Sequence, residues 1–278
     1  MKLTTKIVLG IIISIFLLSF VFIICISFID KENDMFNPNS RFKSISQENI
    51  ISVDIEPFKT VFIYEELEQK RRNIFPGGTV TLQPVINENE KNKILLPEEL
   101  LKFTGITSSN DTLFIWLKMD EVYEQHEESI SAIEKRGMAY ALDGFNFYLH
   151  TNLVDIVCDI DKIKIDIQNI KTDIINVRSF GEISIDSCQA NLIETYSRHW
   201  KTTLIKNSKV KELSIDLDVI KNWKTEGCEI EILNLTGSGK HSVLFTENTT
   251  KVTNWIPKNK EAQLMVTLHG DTARIVFQ

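Results

Sequence analysis

The chain has 278 residues, enough for one large β domain with extra segments and a full core that needs neither disulfide nor metal. Its net charge of −7 is modest, and its Lys and Arg residues are scattered, so the basic stripe that nucleic-acid binding requires is missing. Pro and Gly are scarce, which favours long β ladders over a turn-rich chain.

The chain opens with MKLTTK and a run of 23 uncharged, mostly apolar residues from Ile7 to Ile29. As a helix this run would be about 34 Å long, enough to cross a bilayer. It ends in bulky Ile, Phe and Cys rather than in a small-x-small cleavage site, which points to an uncleaved anchor. Lys2 and Lys6 precede it and Asp30, Glu32 and Asp34 follow it, so the positive-inside rule keeps the N-terminus cytoplasmic and exports the rest. Residues 1–29 are thus expected to be a cytoplasmic stub and transmembrane helix. Residues 30–49 read as a polar tether broken at Asn37-Pro38-Asn39-Ser40.

Residues 50–278 are expected to form one all-β domain. VDI from Val53 and KTVFIYEE from Lys59 alternate apolar and polar residues around Pro57. Pro76-Gly77-Gly78 reads as a turn, and TVTLQPVI from Thr79 as a strand that Pro84 confines to an edge or bulge. LPEELLKF from Leu96 suits a short helix with Pro97 at its start. TLFIWLK from Thr112 is a further strand. Met119 to Gly137 breaks the β pattern and reads as a helical insertion, with Val122, His126, Ile130 and Ile133 at spacings of three and four.

From about Ile160 the apolar centres recur every ten residues or so: Ile163, Ile174, Ile183, Ile193, Leu204, Leu213, Ile230, Leu244, Leu264 and Ile275. Trp223 and Trp255 fall near the beats that would otherwise be skipped. Such spacing predicts a single-chain β-solenoid of about six coils with two strands per coil, or alternatively an antiparallel β-sandwich. The sandwich would want tight Asp-Gly or Asn-Gly turns, and only Asp143-Gly144 qualifies, so the solenoid is preferred. Cys158, Cys188 and Cys228 lack zinc-type spacing and read as small buried hydrophobes on strands.

From Val53 onward, the order of features resembles the GIN-type auto-transporter adhesin heads, a β-solenoid family of the Bacteroidetes envelope. The resemblance is carried by VDIEPFKTVFIYEE, LPEELLKFTGITSSNDTLFIWLK, and the repeated KIKIDIQNI, GEISIDSCQ and KELSIDLDV. It implies a solenoid fold and an envelope location, and brings no catalytic residue. The Gly-rich coil corners frequent in that family are mostly missing here.

Few constellations suggest chemistry. Gly237-Ser238-Gly239-Lys240 lacks the upstream Gly and following Ser or Thr of a phosphate loop and reads as a tight turn. His150, His199 and His269 fall at strand ends, where a solvent-facing His is ordinary. Asp159, Asp161, Asp166, Asp173, Asp186, Asp216 and Asp218 could line one face for Ca²⁺ or glycan cleavage. The interleaved Lys162, Lys164, Lys171, Lys206 and Lys211 favour cross-strand ion pairs instead.

The sequence therefore points to a membrane-anchored, non-enzymatic, adhesin-like module that binds or scaffolds in the cell envelope. No catalytic residue, metal ligand or cofactor is expected. The alternatives are a glycan-active β-helix enzyme, or an exported sensor or assembly subunit of a membrane complex. The candidate binding cluster is Tyr196, Arg198, His199, Trp200 and Lys201, aromatic and basic together, suited to an anionic glycan or an envelope protein.

Overall fold

Strict alternation along KIKIDIQ turns Ile163, Ile165 and Ile167 to one side, and all three are buried. The same device recurs through most of the chain. The computed structural model describes residues 45–66, 74–85, 91–125, 127, 140–198, 200–245 and 250–268. The first strands are β1 (Ile50–Asp54), β2 (Thr60–Glu66), β3 (Ile74–Gln83) and β4 (Lys93–Pro97). After helix α1 (Glu98–Lys102) come β5 (Thr104–Ser109), β6 (Thr112–Lys118) and helix α2 (Met119–Gln125). Then follow β7 (Tyr140–Asp143), β8 (Phe147–His150), β9 (Val154–Cys158), β10 (Lys162–Gln168) and β11 (Lys171–Ser179). Next are β12 (Ile183–Asp186), β13 (Gln189–Ser197), β14 (Thr202–Lys206), β15 (Lys209–Asp216) and β16 (Asn222–Glu226). The series closes with β17 (Glu229–Gly237), β18 (Lys240–Phe245), β19 (Thr250–Pro257) and β20 (Gln263–Leu268).

The domain is all-β and its long sheets are largely parallel. Sheet A has the order β1-β4-β8-β3-β10-β12-β14-β16, with β7 also on β3; sheet B has the order β19-β17-β15-β13-β11-β9-β2-β6-β5. From β10 to β17 the chain passes alternately between sheets A and B; β19 then extends sheet B, while β18 and β20 pair with each other in a separate two-stranded sheet. Ile165 lies opposite Ile183, which lies opposite Thr203, itself opposite Trp223. In sheet B, Ile175, Ile193, Leu213, Leu233 and Thr253 form the matching row. Each turn of chain thus holds two strands, as the ten-residue beat predicts, and Trp223 and Trp255 do fall on strands (β16 and β19). The antiparallel alternative fails in this part, because every pairing among β9 to β20 is parallel. Complete coils run from β10/β11 to β18/β19, and β20 begins another. The last beat, at Ile275, lies outside the described residues.

The corners that lead from sheet A to sheet B are built by a repeated device. Asn169, Ser187, Asn207 and Gly227 have φ of 57°, 55°, 47° and 59°, the left-handed region. Each is followed by a residue pointing into the core: Ile170, Cys188, Ser208 and Cys228, all buried. The corner N–H of Asn169 donates to the Asp186 carbonyl (3.0 Å), that of Ser187 to Lys206 (3.1 Å), and that of Asn207 to Glu226 (2.9 Å). Asn and Ser carry the turn here where Gly would be the default. This explains how the chain makes regular corners with so few glycines.

Several expectations need correction. Cys188 and Cys228 sit at corners rather than on strands, with Cys188 Sγ 3.3 Å from the Asp186 carbonyl and Cys228 Sγ 3.3 Å from that of Ile205. Cys158, Cys188 and Cys228 are all unbridged and buried. Pro76-Gly77-Gly78 is strand, not turn: Gly77 pairs with both Asp143 and Lys162. β3 lies inside sheet A, so Pro84 just past its end does not confine it to an edge. The two-residue hairpin turn is Asn110-Asp111 between antiparallel β5 and β6, with φ of 51° and 61°, and not Asp143-Gly144. The expected short helix is α1, preceded by Pro97; the insertion begins as helix α2, and its rest lies outside the described residues. Among the described residues no helix is long and apolar enough to cross a membrane; the run 7–29 lies outside them.

The corner geometry makes a test. In Gly227→Ala a left-handed conformation is forced on a Cβ that would also lie 3.0 Å from Asn207 Oδ1. The unfolding free energy in urea should fall by about 1–2 kcal/mol. Ser187→Gly, which removes a Cβ from the same kind of corner, should change it by less than about 1 kcal/mol.

Candidate functional site

Because the coils stack in register, side chains that face outward from sheet B form straight rows. One row carries Thr60, Asp155, Asn176, Glu194, Ser214, Asn234 and Asn254. Its members are tied sideways in part: Thr60 Oγ1 donates to Asp155 (2.7 Å), Asn176 Nδ2 to Asp155 (2.8 Å), and Asn254 Nδ2 to Asn234 (2.9 Å). The next row, two residues further along each strand, runs Phe114, Phe62, Val157, Arg178, Tyr196 and Asp216.

The β2–β6 end of this face is aromatic. Phe62 and Tyr64 lie 5.3 Å apart, Phe62 and Phe114 6.2 Å, and Tyr64 stacks on Trp116 at 6.3 Å. The Trp116 indole lies across Gly105 on neighbouring β5, where any Cβ would overlap the ring. Gly105 therefore lets the indole lie flat against the sheet.

Between the aromatic end and the later coils lies a groove of about 670 Å³, lined by Phe62, Arg178, Phe180, Glu194, Tyr196 and Asp216, among others. Asp216 is engaged, since Lys258 Nζ lies 2.6 Å from its Oδ2 and 3.0 Å from Asp218 Oδ2. The Ser238 backbone N–H and Lys258 hold the Asp218 carboxyl well below the usual range, and His241 Nε2 lies 3.0 Å away. The turn expected at Gly237–Lys240 is the pair Ser238-Gly239, between the last residue of β17 and the first of β18. Arg178 and Glu194, by contrast, are exposed and have no ion pair or hydrogen bond among the described residues. Cys158 forms part of the wall, and burial pushes its thiol up to about 12, so it is no thiolate at neutral pH.

Beside the groove, near β9, lie three carboxylates, of which Asp159 is part of its lining. Burial, then the charges of Asp159 and Asp161, push Glu65 up to about 7. Arg198 and Lys201 reach Asp161 at 3.7 and 3.8 Å. The Arg198 guanidinium also lies 4.0 Å over the Phe180 ring and 5.7 Å from that of Trp200.

The cluster chosen from sequence is thus placed unevenly. Tyr196 lines the groove and is 44% exposed; Trp200 stands at the corner and is 65% exposed. Arg198 and Lys201 are engaged with Asp161 on the preceding coil. His199 lies outside the described residues. Arg178 was missed, although the alternation in INVRS marks it as outward-facing. Of the interleaved lysines, Lys206 forms the expected cross-strand pair, with Glu226 (3.4 Å), whereas Lys164 pairs along its own strand with Asp166 (3.7 Å). His150 is not solvent-facing: it is buried between β3 and β4, and its Nδ1 has no hydrogen-bond partner among the described residues.

No family model matches the chain, and no curated protein matches it. Solved structures do. A protein of Bacteroides fragilis described as a "putative adhesin" shares 11% identity over 82% of this chain and 97% of its own, with a TM-score of 0.41. Another "putative adhesin", from Parabacteroides merdae, shares 9% over 82% and 98%, with a TM-score of 0.38. A "putative cell adhesion protein" of Clostridium sporogenes shares 10% over 80% and 99%, with a TM-score of 0.21. At scores below 0.5, the fold of this chain rests on its own strand pairing.

Glu65 makes a pH test. Its folded pKa lies above its unfolded one, so folding takes up a proton between about pH 4.5 and 7 and stability falls as pH rises through that window. Glu65→Gln should leave stability unchanged at pH 4 and raise it at pH 8, by roughly 1 kcal/mol after solvent screening. Thermal melts at both pH values check this.

Proposed function

We propose that this protein is a membrane-anchored, exported binding module of the cell envelope, adhesin-like and without enzymatic activity. Its coiled domain presents the outer face of sheet B to a glycan or protein partner. The observation that carries this reading is the groove lined by exposed Tyr196 on a stack of paired strands, with exposed Trp200 at the corner that follows β13. Aromatic side chains that remain exposed on an ordered scaffold contribute contact area at little entropic cost. The anchor is supported by the apolar run 7–29 and the charges around it.

Protease added to intact spheroplasts should remove the domain and leave a short N-terminal fragment. Protection of the whole chain would reverse the orientation, and a mature form starting near residue 30 would mean a cleaved signal.

A glycan-active enzyme is the second reading, and Glu65 is what favours it. A carboxyl whose pKa is pushed up to about 7 has the character of a general acid. The two readings separate in one experiment: capture from envelope extract by the full chain, run beside a glycan-binding and glycan-cleavage screen. The binding reading expects capture without cleavage, weakened about tenfold by Tyr196→Ala with Trp200→Ala. Cleavage at catalytic rates, abolished by Glu65→Gln, would make the protein an enzyme.

A further inference from the structure

The free cation in the groove narrows the ligand. Arg178 extends from the middle of sheet B between Val157 and Tyr196, with Phe180 two residues further on, just past the end of β11. Other cations near this face are engaged: Arg198 and Lys201 with Asp161, and Lys258 with Asp216 and Asp218. Arg178 alone of these four has no counter-charge among the described residues. A guanidinium left free in a concave, partly aromatic site is a fork for a carboxylate.

The polar row gives the other half of the argument. Asn176, Glu194 and Ser214 lie two residues along the strands from Arg178, Tyr196 and Asp216, a separation of about 6.7 Å. Asn and Glu side chains accept from hydroxyl groups, and Glu194 would repel a second carboxylate on that side. A ligand that fits carries a carboxylate on one edge, hydroxyls on the opposite edge, and a flat, partly apolar face for Tyr196 and Phe62. A hexuronic acid has this layout, with its carboxyl group across the pyranose ring from two of its hydroxyls. Because the rows continue along the stack, a linear chain of such sugars can lie across successive strands.

We infer that the groove binds a linear glycan containing uronic acids, with Arg178 taking a sugar carboxylate and Tyr196 the ring face. The inference rests on reading this face as a binding surface and adds the ligand class.

Calorimetry on the full chain with tetrasaccharides of galacturonate, guluronate and hyaluronan tests it. Each is set beside its carboxyl-reduced counterpart, with cellotetraose and a Glu-rich peptide as further probes. At least one uronate should bind, and Arg178→Gln should weaken it tenfold or more while the circular dichroism spectrum stays unchanged. Carboxyl reduction should weaken it as much, and added salt should weaken it further. Binding that survives Arg178→Gln or carboxyl reduction overturns the inference, as does failure of all three uronates. If cellotetraose or the peptide binds in their place, with loss on Tyr196→Ala, the ligand class is wrong and the binding surface stands. Failure of every probe together with failure to capture any envelope component removes both.

Discussion

The left-handed corner is the constraint on which the rest of the structure depends. A parallel stack grows only if each coil returns to the same height and side, and one left-handed residue per coil, at the corner from sheet A to sheet B, fixes one of its two bends. The following residue then drops into the core, and its neighbours bond to the coil above. Lys209 N–H reaches the Cys188 carbonyl and Glu229 N–H that of Ser208, both at 2.9 Å. Shift one corner by a residue and every inward Ile of the next strand turns outward. The corners thus set the register, the register makes the outward rows straight, and the straight rows make the groove.

The core was legible because its signal is local. KIKIDI, EISID and ELSIDL each show inward and outward positions within a single strand, and two strands per coil follow from their spacing. PGG was misread for the opposite reason. Its residues look like a turn by composition, yet partners from Tyr140–Asp143 and Lys162–Gln168 draw them into an extended ladder, and local propensity gives way to tertiary pairing. The corner cysteines were misplaced because Asn, Ser and Gly at the four corners share a backbone conformation and not a residue type.

The site was legible only in part. Tyr196 and Trp200 stand out in TYSRHWK, and both prove exposed. The charges of Arg198 and Lys201 are taken up by Asp161, contributed by the preceding coil, and nothing in their own stretch signals it. Arg178 could be placed on the outer face by alternation alone. That it lies beside Tyr196 follows once the coil length is known, but Phe62 comes from a strand more than a hundred positions earlier. Such neighbours belong to the fold as a whole, so a reading of single stretches passes them by.

The position of β2 and β3 bears on how the domain is made. β2 lies between β6 and β9, and β3 between β8 and β10, so a hairpin-length stretch near the start of the domain is flanked on both sheets by strands synthesised much later. The stack therefore cannot be laid down coil by coil from the first residue to emerge. Val61 and Ile63 wait for Ile156 and Cys158 before their ladder closes, and until then two apolar strands present open edges. For a chain synthesised from its N-terminus onward, this order means that the early segment must be kept from pairing elsewhere until the middle of the domain has arrived. Commitment to the native topology then comes late, with the insertion of those two strands.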